Sequence, residues 1–342
     1  MDLSKCFDIM WKNETMNDLY DLGVVDDKFV LVSKLNEDCK VTVKTPVGVT
    51  EEFQLENIEM QGTVPAPLKC AGQMDGLGRK CYMNEDYLYH YNGSCYVPSL
   101  GFIDDTFAAT RCGEQSVMMN ALINTFIESK KLYFNTNKCY LIHVGPRKEE
   151  CCQLKVHDRN MKQTTSEKYL GDVVSSSGNG ENIENREKIG RTCISDILSM
   201  LKVVGIGGHY MRVALVLRDS MLKSKLLLNS GIWHGLTNVQ VNRLENIDKS
   251  YLRTVLKSHS KVAIECLFFE TGKKPLKYEI MRNRLMYWWK ILHVEENELI
   301  FRVYQSQKNS PNSGDWIKLL SEDKSALCIT MDDEDLKKTI KE

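Results

Sequence analysis

The apolar positions of the chain recur with two different periods, and the switch from one to the other divides it. Between residues 8 and 22, Ile9, Met10, Met16, Leu19 and Tyr20 follow helical spacing up to Gly23, and a second short helix is predicted over 27–35. Residues 39–45 then alternate through Val41 and Val43. Pro46-Val47-Gly48 turns the chain back into 49–55, the pattern of a β-hairpin. The Pro-containing run 61–67 reads as a loop and 68–81 as a helix. Strands at 87–91 and 94–97 flank Asn92-Gly93, a strong hairpin signal. Strands at 100–103 and 106–110, apolar enough for both arms to be buried, face each other across Asp104-Asp105. A helix over 114–130, with Val117, Ala121, Leu122, Phe126 and Ile127 on one face, precedes strands at 132–134 and 139–144. After a polar stretch, 169–175 closes the β-rich part.

From Asn179 the period is helical. Segments 182–203, 211–229, 239–256 and 275–293 all repeat near 3.6 residues, so a boundary is placed near residue 178. Gly205-Ile206-Gly207-Gly208 lacks the Lys-Ser/Thr of a phosphate loop and reads as an interhelical turn. Tyr287, Trp288 and Trp289 read as a packed aromatic stripe, and 305–315 as a polar loop. Residues 331–342 put acids before lysines, as a helix dipole favours. The expected fold class is α+β.

Composition narrows this only slightly. At 342 residues, 42% hydrophobic and 27% charged, the chain is neither disordered nor fibrous. Its 45 basic and 46 acidic residues count against a simple nucleic-acid-binding module, which gains affinity from an excess of Lys and Arg. No run approaches the roughly 20 apolar residues of a membrane span, and the first residues carry no secretory signal. An intracellular protein, cytoplasmic or nuclear, with no membrane partner is expected. The twelve cysteines include no Cys-x-x-Cys pair. The nearest approach to a metal cluster is His143, Cys151, Cys152 and His157, but adjacent cysteines do not suit one zinc. Reduced cysteines are expected.

Asp104-Asp105 carries the strongest chemical signal. Two carboxylates at the end of an apolar hairpin repel each other, and holding them there is costly unless a cation is shared. Hard Mg²⁺ prefers carboxylate oxygen and keeps several waters, so a few carboxylates suffice. Two such ions support phosphoryl transfer to a hydroxyl.

Other segments join this pair in a fixed order. Asp2-Leu3-Ser4-Lys5-Cys6-Phe7-Asp8 resembles the first catalytic motif of reverse transcriptases, and Gln61-Gly62-Thr63-Val64-Pro65-Ala66-Pro67-Leu68 resembles the second. Phe102-Ile103-Asp104-Asp105 matches the third, aromatic-x-Asp-Asp, Asn137-Lys138-Cys139 the fourth, and Lys168-Tyr169-Leu170-Gly171 the fifth, the primer grip. The family is that of non-long-terminal-repeat (LINE-like) retrotransposons. The resemblance implies a right-hand polymerase palm, an antiparallel sheet with helices on one face, over 1–178. A helical thumb over 179–258 and a helical C-terminal extension over 259–342 would follow.

The same resemblance implies the roles. Asp2, Asp104 and Asp105 would hold two Mg²⁺ ions, with Mn²⁺ as an alternative. Lys138 would protonate or stabilise the departing pyrophosphate. Phe7 would exclude a 2′-hydroxyl, and Gln61 and Gly62 would line the nucleotide and template base. Tyr169, Leu170 and Gly171 would hold the primer end. The partners implied are an RNA template, a DNA primer and deoxynucleoside triphosphates. In the first two thumb helices, Arg186, Lys188, Arg191, Lys202, Arg212, Arg218, Lys223 and Lys225 face five acids, a net of +3 compatible with duplex phosphates.

Two departures bear on activity. Ala66 stands where the family has Ser. The chain also starts one residue before Asp2, where relatives carry a fingers subdomain and commonly an endonuclease. A polymerase fragment impaired as an isolated chain is therefore expected. Its alternative is a catalytically dead remnant that binds nucleic acid or a partner.

Overall fold

The computed structural model describes all residues except 2, 4–5, 37–39, 55–64, 85, 87, 92–94, 98, 146–151, 205–209, 310–315 and 330–342, and except the side chains of Phe7, Asp8, Asn36 and Val204. The described residues form helices and small antiparallel ladders, an α+β protein. They fall into two units, 1–141 with 147–164, and 142–146 with 165–342.

The first unit begins with α1 (Cys6–Ile9) and α2 (Lys12–Asp21), where one helix over 8–22 was expected. The break falls at Met10-Trp11. Met10 is fully buried in the core, and Trp11 takes an extended conformation (φ −82°, ψ 119°) just before α2. Thr15, Met16 and Leu19 then form the buried face of α2. α3 (Asp26–Asn36) follows as expected. The next hairpin is two short ladders, β1 (Lys40–Val41) with β4 (Phe53–Gln54), and β2 (Lys44–Thr45) with β3 (Gly48–Val49) around the Pro46-Val47 turn.

Helix α4 (Pro65–Tyr82) starts three residues earlier than the loop prediction allowed. Both prolines lie in its first turn, where their missing amides cost nothing. Its buried face meets α5 (Gly113–Ser129) closely: a Cβ on Gly76 would lie 3.2 Å from the Phe126 ring. Cys70, Met74, Leu77, Ile123, Phe126 and Ile127 make the centre of this unit's core. β5 (Tyr89–Tyr91) pairs with β6 (Cys95–Val97), so the expected hairpin arms form, while Asn92-Gly93 lies outside the described residues. β7 (Leu100–Phe102) pairs with β8 (Asp105–Phe107). The strand expected at 132–134 is reduced to one antiparallel bridge, Leu3 with Phe134. β9 (Tyr140–Ile142) follows, and the polar stretch after it holds β10 (Lys155–Val156), β11 (Arg159–Asn160) and β12 (Lys162–Thr164). The last three were missed because strands of two or three residues carry too little alternation to read.

The second unit opens with a hairpin, β13 (Ser166–Tyr169) and β14 (Asp172–Ser175), where a single strand over 169–175 was expected. α6 (Gly180–Val204) packs on α9 (Asn238–Leu256). The helix predicted over 211–229 is α7 (Tyr210–Leu217), a π-helical turn at Arg218–Lys223, and the short α8 (Ser224–Leu226). α9 begins with a capping box in which Thr237 Oγ1 accepts from Gln240 N and the Gln240 side chain accepts from Thr237 N. α10 (Ile264–Thr271) was not expected, and α11 (Leu276–Leu292) was. Trp288 is buried with Leu285 and Ile291, as the aromatic stripe requires. α12 (Leu299–Asn309) replaces the first half of the expected loop, its Tyr304 and Ser306 buried, and α13 (Trp316–Ala326) follows. The Gly205–Gly208 turn and the acidic-to-basic segment 331–342 lie outside the described residues. No described helix is long and apolar enough to cross a membrane.

The approach of α6 to its neighbours depends on Gly190. A Cβ there would lie 2.6 Å from Leu226 Cδ2 and 3.1 Å from Ile247 Cγ2. Alanine adds about 1 kcal/mol of helix propensity, but overpacking a filled core costs about 1–3 kcal/mol. Gly190→Ala is expected to lower stability by a net ~1 kcal/mol, read as a lower urea midpoint at unchanged slope. A raised midpoint would show that α6 and α8 can separate freely.

Candidate active-site hairpin and the turn at residue 170

Residues 100–107 form a tight hairpin in register Leu100↔Phe107, Gly101↔Thr106, Phe102↔Asp105. The turn is therefore Ile103-Asp104, and Asp105 is the first residue of the returning strand rather than half of the tip. Ile103 has φ +60° and Asp104 does not share it, the arrangement of a type II′ turn whose first position normally belongs to glycine. A β-branched residue with positive φ is a true outlier. Such strain costs of order 1–3 kcal/mol and concentrates at functional sites. Ile103 is held there because its side chain packs against the core of the first unit.

Only one arm is buried. Thr106 is 2% exposed, but Leu100 and Phe102 are 39% and 56% exposed, contrary to the expectation that both arms are covered. The ladder is two-stranded, so one face of β7 has no neighbouring layer among the described residues. Asp104 and Asp105 are both half-buried. Asp104 has no hydrogen bond or ion pair among the described residues.

The chain start runs beside β8. The Met1 amino group donates to Thr106 O at 2.7 Å and Thr106 N donates to Met1 O at 2.8 Å, a reciprocal antiparallel pair. Leu3, two residues on, bridges to Phe134. Asp2, between them in sequence, lies outside the described residues, as do Gln61 and Gly62; Phe7 lies in α1, but its side chain is not described. Lys138 sits on an exposed bend, where its amide donates to Asn135 O at 2.8 Å and Asn137 N donates to Asn135 Oδ1.

The donor set of the hairpin suits a hard divalent cation. Mg²⁺ takes one or two carboxylates and fills its remaining positions with water and substrate phosphate, and Asp104 and Asp105 supply such a pair. No group of three or more His, Cys, Asp or Glu that would enclose a metal occurs among the described residues.

The Tyr169–Gly171 segment belongs to the second unit. It is a turn, with Leu170 at φ +46° and Gly171 at φ +88°, the two positive values of a type I′ hairpin. What fixes it was not foreseen. Arg186, on α6, is 2% exposed and donates to Gly171 O at 2.8 Å, Asp172 Oδ1 at 2.5 Å and Lys225 O at 3.3 Å. Asn182 and Asn229 also donate to the Asp172 carboxylate, at 3.1 and 2.7 Å. Beside this hairpin, Glu181 is held below the usual carboxylate range by the hydroxyl of Ser166 and then those of Ser175 and Ser177.

Arg186 therefore leaves the set of expected phosphate contacts, and so does Arg218, which is 1% exposed. Both guanidinium groups are spent inside the protein on carboxylates. Lys188, Arg191, Lys202, Arg212 and Lys225 remain exposed, and Lys223 reaches Glu279 at 3.3 Å.

Arg186→Ala removes one partner of a mostly buried pair and is expected to destabilise the second unit by about 2–4 kcal/mol. Arg186→Lys should recover little, because a point charge cannot reach Gly171 O and Asp172 together. Denaturant melts of the three proteins check this, and a loss under 0.5 kcal/mol for the alanine variant, about the size of a surface change, would refute it.

A scan against models of protein families finds none that matches the chain, and a search of curated proteins finds no match.

Proposed function

We propose that the chain is the palm and thumb part of an RNA-directed DNA polymerase of the non-long-terminal-repeat retrotransposon type, with Asp104 and Asp105 as metal ligands. The observation that carries this is the hairpin: two half-buried carboxylates, one on a turn kept in a strained conformation by core packing. Backbone strain of this kind clusters at functional sites. The pairing of Met1 with Thr106 and of Leu3 with Phe134, on either side of Asp2 in sequence, supports a third carboxylate from the first motif.

Bound there, two divalent ions would activate a primer 3′-hydroxyl and bear the charge of departing pyrophosphate. The chain's own residues hold and orient. Asp104 presents its carboxylate free of protein partners among the described residues, so no internal ion pair has to break first. Lys138, exposed on its bend, is the proton donor for the leaving group. The Tyr169–Gly171 turn, locked by Arg186 and Asn229, is a rigid ledge for a primer end. The exposed basic residues of α6 to α8 take phosphates.

Primer extension on an RNA template, with Mg²⁺ or Mn²⁺ and all four deoxynucleotides, tests this. Template-directed addition supports the polymerase. Duplex binding with no addition under either metal would leave a nucleic-acid-binding module instead.

A further inference from the structure

We infer that Cys6 and Cys70 are a redox-responsive pair that closes to a disulfide and ties α1 to α4. The two Sγ atoms are 3.0 Å apart, and both side chains are buried, at 3% and 0% exposure, in the same core. A disulfide needs 2.03–2.05 Å, so closure asks for a movement of about 1 Å. Neither sulfur has to leave its own element to make it.

Hydrogen peroxide serves as the oxidant. One cysteine sulfur attacks a peroxide oxygen and breaks the O–O bond, leaving a sulfenic acid and a first water. The second sulfur attacks the first, the S–S bond forms, and a second water departs with the remaining thiol proton. Two sulfurs are each oxidised by one electron and two peroxide oxygens are each reduced by one. Both sulfurs are buried, so the oxidant reaches them through a local opening of this part of the core.

The consequence rests on the proposed function. α1 overlaps the end of the first resembling motif and contains Phe7, and α4 begins within the second motif. A covalent tie between them displaces the two segments that would contact the nucleotide, and shifts of about 1 Å in such sites slow reactions by up to a hundredfold. The cross-linked form is the slower one.

The protein is treated with hydrogen peroxide, digested without reductant and mapped by mass spectrometry. The expected product is a Cys6–Cys70 peptide pair lighter by two hydrogens, reversed by dithiothreitol and absent from Cys6→Ser. The oxidised wild type should melt at least about 5 °C higher and extend a primer at least about tenfold more slowly. Recovery of both residues as free thiols, after the exposed Cys112, Cys266 and Cys328 have been oxidised, would overturn the pair. An unchanged extension rate in cross-linked protein would overturn its regulatory role. A link that forms in a protein inactive even when reduced supports the pair and counts against the polymerase.

Discussion

Asp104→Ala is expected to reduce RNA-templated primer extension by at least about a thousandfold while leaving the melting temperature almost unchanged. The two halves of this expectation come from one observation. Asp104 sits on the turn, half-buried, with no partner among the described residues, so its carboxylate contributes nothing to the fold that alanine would remove. Substitutions of that kind usually stay within about 0.5 kcal/mol. A metal ligand is different, since losing it removes several kcal/mol of transition-state stabilisation. Asp104→Asn should be nearly as inactive, because an amide oxygen is a weaker, uncharged ligand for a hard cation. Asp105→Ala is the contrasting case. Asp105 lies within the ladder opposite Phe102, so its loss should lower stability as well as activity. If Asp104→Ala retained full activity, the pair would be an acidic turn and nothing more.

Arg218→Met is expected to destabilise the second unit by about 3–5 kcal/mol. Arg218 lies at the start of the π-helical turn and is 1% exposed. Its Nε and Nη2 donate to the two oxygens of Asp248 at 2.7 and 2.6 Å, and Nη1 donates to Asp219 at 2.7 Å. Asp248 is equally buried, and burial pushes its carboxyl above the usual range despite the guanidinium beside it. The pair is thus costly to hold and more costly to halve. Methionine fills the space of the Arg stem but leaves a buried acid unpaired. Arg218→Met with Asp248→Leu should therefore recover most of the loss and fall within about 1.5 kcal/mol of wild type. A double variant no better than Arg218→Met would show that the pair is needed for packing rather than for charge balance.

The helices of this chain were legible where one face is apolar over several turns. α5, α9 and α11 come out within about two residues of expectation, the usual scatter of helix ends. The turn at Leu170-Gly171 was not read from the residues, which suggested one strand over 169–175, although Gly171 takes a positive φ there. Ile103 was not legible either, because a β-branched residue argues locally against the conformation that core packing imposes on it. For the same reason the apolar sequence of β7 suggested burial, yet Phe102 is exposed on a ladder of only two strands. Arg186 and Arg218 misled in the opposite direction. Residue type places arginine at the surface, and the partners Asp172 and Asp248 lie 14 and 30 positions away, with no local pattern to announce them. The second and first motifs could not be followed into the structure at Gln61, Gly62 and Asp2, which lie outside the described residues.

The hairpin's role as a divalent-metal site is tested most directly by electron paramagnetic resonance of Mn²⁺ titrated into the protein with template–primer and a non-hydrolysable deoxynucleotide. Wild type should quench the free-ion signal at up to two equivalents, and Asp104→Ala should lose that quenching while melting at the same temperature. Equal Mn²⁺ binding by the two proteins would contradict the assignment of Asp104 as a metal ligand.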